Sequence, residues 1–300
     1  MESILAYLFN VLPIIILGIA VFVILIEWRL LTINKKIKSH KEAEVSFLSA
    51  VLSFLPLFMA NKILLIAFMF WVFQFKLFDL GFAWYIWIFA WIFYDFMFYL
   101  IHWASHTVRL FWCLHSVHHS PKEMKLSVAF RGSFGDFLLL PHVIIWLPLL
   151  GFHPFLLLIV EIFGRFYGIM VHVNENWFPN KKRHWIENIL ISPSAHRVHH
   201  SINPIYLDRN YGEFLSVWDL LFNTYQKEIR EEVPKYGTMK EIDSENLLDT
   251  QTNEFLSLWK DIKSAVKLSD KIKYIIKPPG WNHIDGGILA NEIRNNSLLK

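Results

Sequence analysis

Five long apolar runs, at about residues 4–27, 45–75, 80–101, 134–150 and 152–171, limit what this chain can fold into more than any other feature. About 20 apolar residues cross the ~30 Å hydrocarbon core of a bilayer as a helix. Inside that core the backbone must satisfy its own polar groups, which only helices and closed barrels do. The runs therefore predict an all-α integral membrane protein. Its expected parts are about four to five apolar helical segments, a histidine-rich helical cap and a small polar C-terminal extension. The composition agrees: 54% of residues are hydrophobic and 18% are charged, against ~25% charged in soluble domains.

The first run, "ILAYLFNVLPIIILGIAVFVILIE", has no basic stretch before it and no small-residue cleavage site after it. It reads as an uncleaved anchor rather than a signal peptide. The basic segment that follows, "WRLLTINKKIKSHK", places that end of the anchor in the cytoplasm. Pro56 and Asn61–Lys62 interrupt the second run, which is either one long kinked helix or a half-span followed by a span. The fourth and fifth runs meet at "GFHP", residues 151–154, and form a helical hairpin. Counting crossings from the basic loop brings the segment after residue 102, the loop 107–132 and everything beyond 172 to one cytoplasmic face. Three regions follow: an N-terminal anchor and basic loop (1–43), a membrane-embedded catalytic domain (44–225) and a polar extension (226–300). In the extension Phe255, Leu258, Trp259, Ile262 and Val266 recur at helical spacing. That stripe is expected to dock on the catalytic domain or to lie at the membrane interface.

The chemistry sits in histidines. There are 14 of them and a single cysteine, Cys113, so an internal disulfide and a Cys-based zinc site are both excluded. The net charge of +3 argues against a nucleic-acid partner. Three boxes stand out: "HWASH" (His102, His106), "HSVHH" (His115, His118, His119) and "HRVHH" (His196, His199, His200). Residues three and four apart share a helix face, so each box is expected to present its imidazoles in one direction. Eight nitrogen ligands exceed what one ion takes and suit two, about four each, with positions left open. Imidazole alone does not choose among zinc, copper, iron and nickel. Asp95, two helical turns before His102 in an apolar helix, is expected to orient a ligand as an outer-layer carboxylate. Asp136, Glu175, Asp208 and Asp219 are weaker candidates. Glu161 and Arg165 are expected to pair with each other. His40, His142, His153, His184 and His283 read as non-ligands, and Cys113 as a packed residue. The aromatic residues of 68–103 read as lipid-facing surface.

The order of the boxes, the first closing an apolar helix, resembles the fatty acid hydroxylase/sterol desaturase superfamily of membrane di-iron enzymes. Supporting context includes "YDFMFYLIH", "SPSAHRVHHS" and "DRNYGEFLSVWDLLFNTY". The resemblance implies two iron ions, dioxygen and oxidation of a lipid C–H bond by hydroxylation or desaturation. It also implies a ninth ligand, His172 in "MVHVNEN". "HHSPKEMKLSVAFR" and "KYGTMK" look closest to the alkylglycerol monooxygenase branch, which cleaves ether lipids with a tetrahydropterin. Trp103 and Thr107 depart from it, since the family commonly has Arg at the first position and the branch an acidic residue at the second. No haem-binding or dinucleotide fingerprint is present, so the electron donor is expected to be a separate redox protein or a diffusible reductant such as a tetrahydropterin. The rival readings are a zinc-dependent membrane hydrolase, which needs only three protein ligands, and a non-catalytic metal-binding or transport protein, which would place its polar groups at the bilayer midplane.

Overall fold

A computed structural model describes residues 2–52, 56–177 and 185–299, and at 2–10, 56–61 and 142 their backbone alone. The first part of the chain holds α1 (Glu2–Ile33), α2 (His40–Leu52), α3 (Pro56–Phe73), α4 (Trp84–Thr107), α5 (Arg109–His119), the single turn α6 (Leu147–Leu150) and α7 (Pro154–Val171). The remainder holds α8 (Pro193–His199), the short α9 (Val217–Leu221), α10 (Leu247–Ser264), α11 (Leu268–Ile276) and α12 (Ala290–Leu298). Among the described residues the fold is all-helical, with only two isolated bridges, Leu190–Leu215 and Ser201–Tyr236.

Val11–Ile33, Trp84–Thr107 and Pro154–Val171 are long and apolar enough to cross a membrane. Many of their large apolar side chains are exposed, Ile14, Phe22, Trp84 and Ile88 among them, as lipid-facing helix surfaces require. The C-terminal ends of all three meet. Near the end of α1, Glu27 accepts the backbone N–H of Leu126 (2.6 Å) and of Asn174 (2.9 Å), just beyond α7. At the other end of α4 and α7 the segments that lead into them meet as well. The N–H of Leu77 reaches the carbonyl of Leu149 at 2.8 Å. Gly151, at φ +105°, packs so tightly on the Phe78 carbonyl that a Cβ would lie 2.1 Å from its oxygen. Between these two levels α3, α4 and α7 enclose an apolar core that includes Met69, Ala90, Leu147, Leu156 and Leu157.

The hairpin is not two regular limbs. Only α7 is a continuous helix. The limb before it breaks into a 3₁₀ turn (Asp136–Leu139), a π turn (His142–Trp146) and α6. Gly132, Gly135, Pro141 and Pro148 punctuate this stretch, and a proline removes a helical hydrogen bond and clashes with the preceding turn. The second apolar run also divides. Its first half, α2, is tied to the extramembrane layer. Glu42 accepts the Lys122 N–H (2.9 Å) and the Ser244 hydroxyl (2.6 Å), and Arg131 donates to the Ser46 hydroxyl and the Glu42 carbonyl. Residues 53–55, beside the expected kink at Pro56, lie outside the described ones, as does His184.

The C-terminal stripe is split between two surroundings. Phe255, Leu258 and Ile262 pack with Ala265 and Tyr274 against Cys113 of α5. Trp259 is 56% exposed and Val266 93%. α10 ends at Ser264, so Val266 falls in a link rather than on the helix, and Trp259 lies ~100° around the helix from Leu258.

Candidate metal centre

All nine histidines expected as ligands come together, in two groups. His102, His106, His115, His119 and His199 form one; His118, His172, His196 and His200 form the other. Within each group the nitrogens lie within 4.8 Å of one another. The boxes do not face one way each, as the helical spacing suggested. At ~100° per residue, positions i and i+4 diverge by ~40°, while i+3 lies ~60° to the other side of i. The i,i+4 pairs therefore stay together: His102 with His106, His115 with His119, and His196 with His200. The i+3 members, His118 and His199, cross to the other group. This exchange interleaves α5 and α8.

Local sequence explains the elements. α4 carries His102 and His106 at its C-terminal end. α8 starts sharply because Ser192 caps it, accepting the Ala195 N–H at 3.2 Å, and Pro193 fills its first turn. His172 is the residue that ends α7.

Backbone carbonyls hold the rings. His102 donates its Nδ1–H to the Tyr211 carbonyl (2.7 Å), His199 to that of Arg209 (3.0 Å), His172 to that of Gly168 (2.6 Å) and His118 to that of Arg131 (3.3 Å). His106 Nδ1 meets the Asp208 carboxylate at 3.3 Å. A carbonyl only accepts, so in these rings Nδ1 carries the hydrogen and Nε2 bears a lone pair. Those lone pairs converge. His118 Nε2 and His172 Nε2 are 3.1 Å apart. The Nε2 atoms of His106 and His199 are buried with no hydrogen-bond partner. Lone pairs facing each other at ~3 Å, and orphaned acceptors, are costly unless a cation lies among them. Burial, reinforced by neighbouring imidazoles, holds His115, His119, His196, His199 and His200 well below the ordinary histidine range, and burial brings His172 to about 4. Neutral imidazoles bind a metal without first losing a proton. The donor set thus fits two transition-metal ions.

Asp95 does not touch a ligand. It is fully buried, and its carboxylate accepts from the backbone N–H of Phe214 (2.9 Å) and Leu215 (3.1 Å) and from Trp218 Nε1 (2.8 Å). A position two turns below His102 places it beside the 211–218 segment instead of the imidazole. It pins to α4 the loop whose Tyr211 carbonyl holds His102. Asp219, in α9, closes the same loop on itself, accepting the N–H of Tyr211 (2.8 Å) and Gly212 (2.9 Å). Of the carboxylates considered, Asp208 is the one that reaches a ligand. Its left-handed backbone, φ +53°, is one that Asp tolerates. The carbonyl anchors carry no side-chain signal in the sequence. His40, His153 and His283 are elsewhere, bonded to Trp28, the Phe155 N–H and Tyr274. Glu161 and Arg165 do pair, at 2.7 Å.

A fatty acid hydroxylase family model matches residues 87–224, which include all nine histidines. The human alkylglycerol monooxygenase is 31% identical over 245 residues, 80% of this chain and 53% of the relative. The Caenorhabditis elegans protein of that name is 31% identical over 213 residues, 65% of this chain and 39% of the relative. A Delta(7)-sterol 5(6)-desaturase of Candida dubliniensis is 30% identical over 132 residues, 43% of this chain and 31% of the relative. The chain spans about half or less of these relatives. No solved structure matches.

Proposed function

We propose, from the match of residues 87–224 to the fatty acid hydroxylase family, that this membrane protein is an oxidoreductase that holds two iron ions and uses dioxygen to hydroxylate or desaturate a lipid C–H bond. The observation that carries the reading is the pair of buried imidazole groups, five and four, at the gathered ends of three apolar helices. Nine nitrogens in two groups are more than a one-zinc hydrolase uses. Their place at a helix end favours a surface-accessible catalyst over a midplane transport site.

Iron bound there supplies the activation of dioxygen and the two-electron oxidation of an unactivated C–H bond. The chain's residues do the rest. The carbonyls of Tyr211, Arg209, Gly168 and Arg131 fix four rings as Nδ1–H tautomers, so that each Nε2 is a ready ligand. His115 and His118 are the two of the nine that are not fully buried, so α5 borders the way in. The remaining seven shut water away from the other sides. The electrons come from a separate redox protein or a tetrahydropterin. By the positive-inside rule the centre faces the cytoplasm.

Ether-lipid cleavage is the second reading, favoured by the alkylglycerol monooxygenase relatives. Three measurements test both. Metal analysis is expected to find two irons per chain. Oxygen uptake is expected to require a lipid. Lipid profiles of a deletion strain and of one expressing His118→Ala are expected to match each other and to lack the product present in wild type. One zinc per chain with full activity under anaerobiosis overturns the oxygenase reading.

A further inference from the structure

The polar extension leaves an apolar stripe uncovered. On α11, Leu268, Ile272 and Ile276 are 71%, 47% and 55% exposed. Spaced by four, they span only ~80° of the helix circumference. Tyr274, on the opposite side, is buried and bonded to His283, so α11 has a protein face and a bare apolar face. Lys271 and Lys273 lie on the two flanks of the stripe, and Lys267 and Lys277 at its ends. An apolar stripe edged by lysines is the pattern of a helix lying flat in a membrane surface.

Two further observations say what covers it. The first is level. The Lys277 carbonyl accepts the Arg109 N–H at 3.0 Å, and Arg109 stands two residues beyond Thr107, where the α4 span ends. The C-terminus of α11 is thereby fixed where α4 leaves the bilayer. The second is charge. Residues 260–277 hold six lysines and two aspartates. Asp270 pairs with Lys273 (3.0 Å) and Asp261 lies 3.6 Å from Arg109, which leaves a strong positive surplus around the stripe. Lysines close to an anionic leaflet are drawn to its surface.

We propose that α11 is an interfacial foot: Leu268, Ile272 and Ile276 sink into the headgroup–acyl boundary of the leaflet where α4 ends, and the flanking lysines contact anionic phospholipid headgroups. The foot has a structural reach. Leu258, Ala265 and Tyr274 pack with Cys113 of α5, the helix that carries His115, His118 and His119. Lipid contact at α11 steadies the helix bordering the metal centre.

Site-directed spin labelling of the full chain in nanodiscs tests this. Ile272→Cys carries a nitroxide, with Val266→Cys as a second position and Met239→Cys, 60% exposed in a loop, as the aqueous reference. In phosphatidylcholine–phosphatidylglycerol discs the labels at 272 and 266 are expected to relax more with oxygen, which partitions into lipid, than with a water-soluble nickel chelate. The label at 239 is expected to do the reverse. Lys267→Glu, Lys271→Glu and Lys277→Glu together are expected to raise nickel access at 272 at least about threefold, in protein that still elutes as wild type. Nickel access at 272 equal to that at 239 overturns the proposal. Shielding from both agents also overturns it, because a protein then covers the stripe. Insertion that is the same in pure phosphatidylcholine and insensitive to the lysine changes overturns the anionic-lipid assignment.

Discussion

Asp219→Asn isolates the loop that holds three of the five imidazoles in one group. Asp219 is fully buried; its Oδ1 accepts the Tyr211 N–H (2.8 Å) and the Thr224 hydroxyl (2.7 Å), and its Oδ2 the Gly212 N–H (2.9 Å). Asparagine keeps the shape but turns one oxygen into an N–H donor, which then faces a donor. One charge-assisted hydrogen bond is lost, worth about 1.5–3 kcal/mol, and a buried N–H is left unpaired at about 1–3 kcal/mol. Together these give a local cost of about 2.5–6 kcal/mol. The loop provides the Tyr211 carbonyl to His102, the Arg209 carbonyl to His199 and the Asp208 carboxylate to His106. The carbonyls that hold His172 and His118 come from Gly168 and Arg131, outside it. If about 2 kcal/mol reaches the metal, affinity at the five-histidine group drops ~30-fold. Metal content after dialysis against graded chelator should fall from two ions to one. Retention of both ions at wild-type affinity, or equal loss of both, would refute the loop as an orienting device for that group alone.

Other outcomes follow from further buried groups and from the metal itself. Arg131, 1% exposed, donates to Ser46, Ser120, the Ser244 carbonyl and the Glu42 carbonyl. Arg131→Gln strands several of these acceptors and should cost ~3 kcal/mol or more, seen as a lower thermal midpoint in detergent. Cys113 is buried, and burial pushes its thiol up to about 12. It should resist maleimide in the folded protein and react only after denaturation. Burial, with Glu161 nearby, raises the Glu213 carboxyl to about 8. The unfolded chain releases this proton near the ordinary value of 4.5 while the folded chain keeps it, so this group's contribution to stability declines as pH rises from about 4.5 to about 8. Glu213→Gln should flatten that stretch of a thermal-midpoint profile, and an unchanged slope would assign the titration to another group. Removing metal with a chelator should lower the thermal midpoint, since a ligand of the native state alone stabilises it by mass action.

Much of this protein is periodic, and periodicity is local. The apolar runs announced α1, α4 and α7 because a spanning helix needs only length and hydropathy. The spacing of His102 and His106, or of His196 and His200, announced paired ligands because i and i+4 always share a helix face. The eight box histidines and the membrane character were therefore legible in the chain, while the ninth histidine, His172, was reached only through the family resemblance. Which group each imidazole joins was not. His118 and His199 cross over because α5 and α8 present their two sides to different neighbours, an angle that packing sets. Asp95 looked like a ligand's partner by helical distance. It serves the 211–218 loop, because that loop, 119 residues later in the chain, lies between it and the histidines. The division of the C-terminal stripe at Ala265 and the carbonyls that orient His102 and His199 were likewise invisible. A backbone carbonyl has no residue type, and the contact between His102 and Tyr211 joins positions 109 residues apart. The sequence determines the donors and the membrane around them, through patterns one helical turn long. The tertiary structure decides how the donors are grouped, because that rests on contacts between segments that the chain brings together only when it folds.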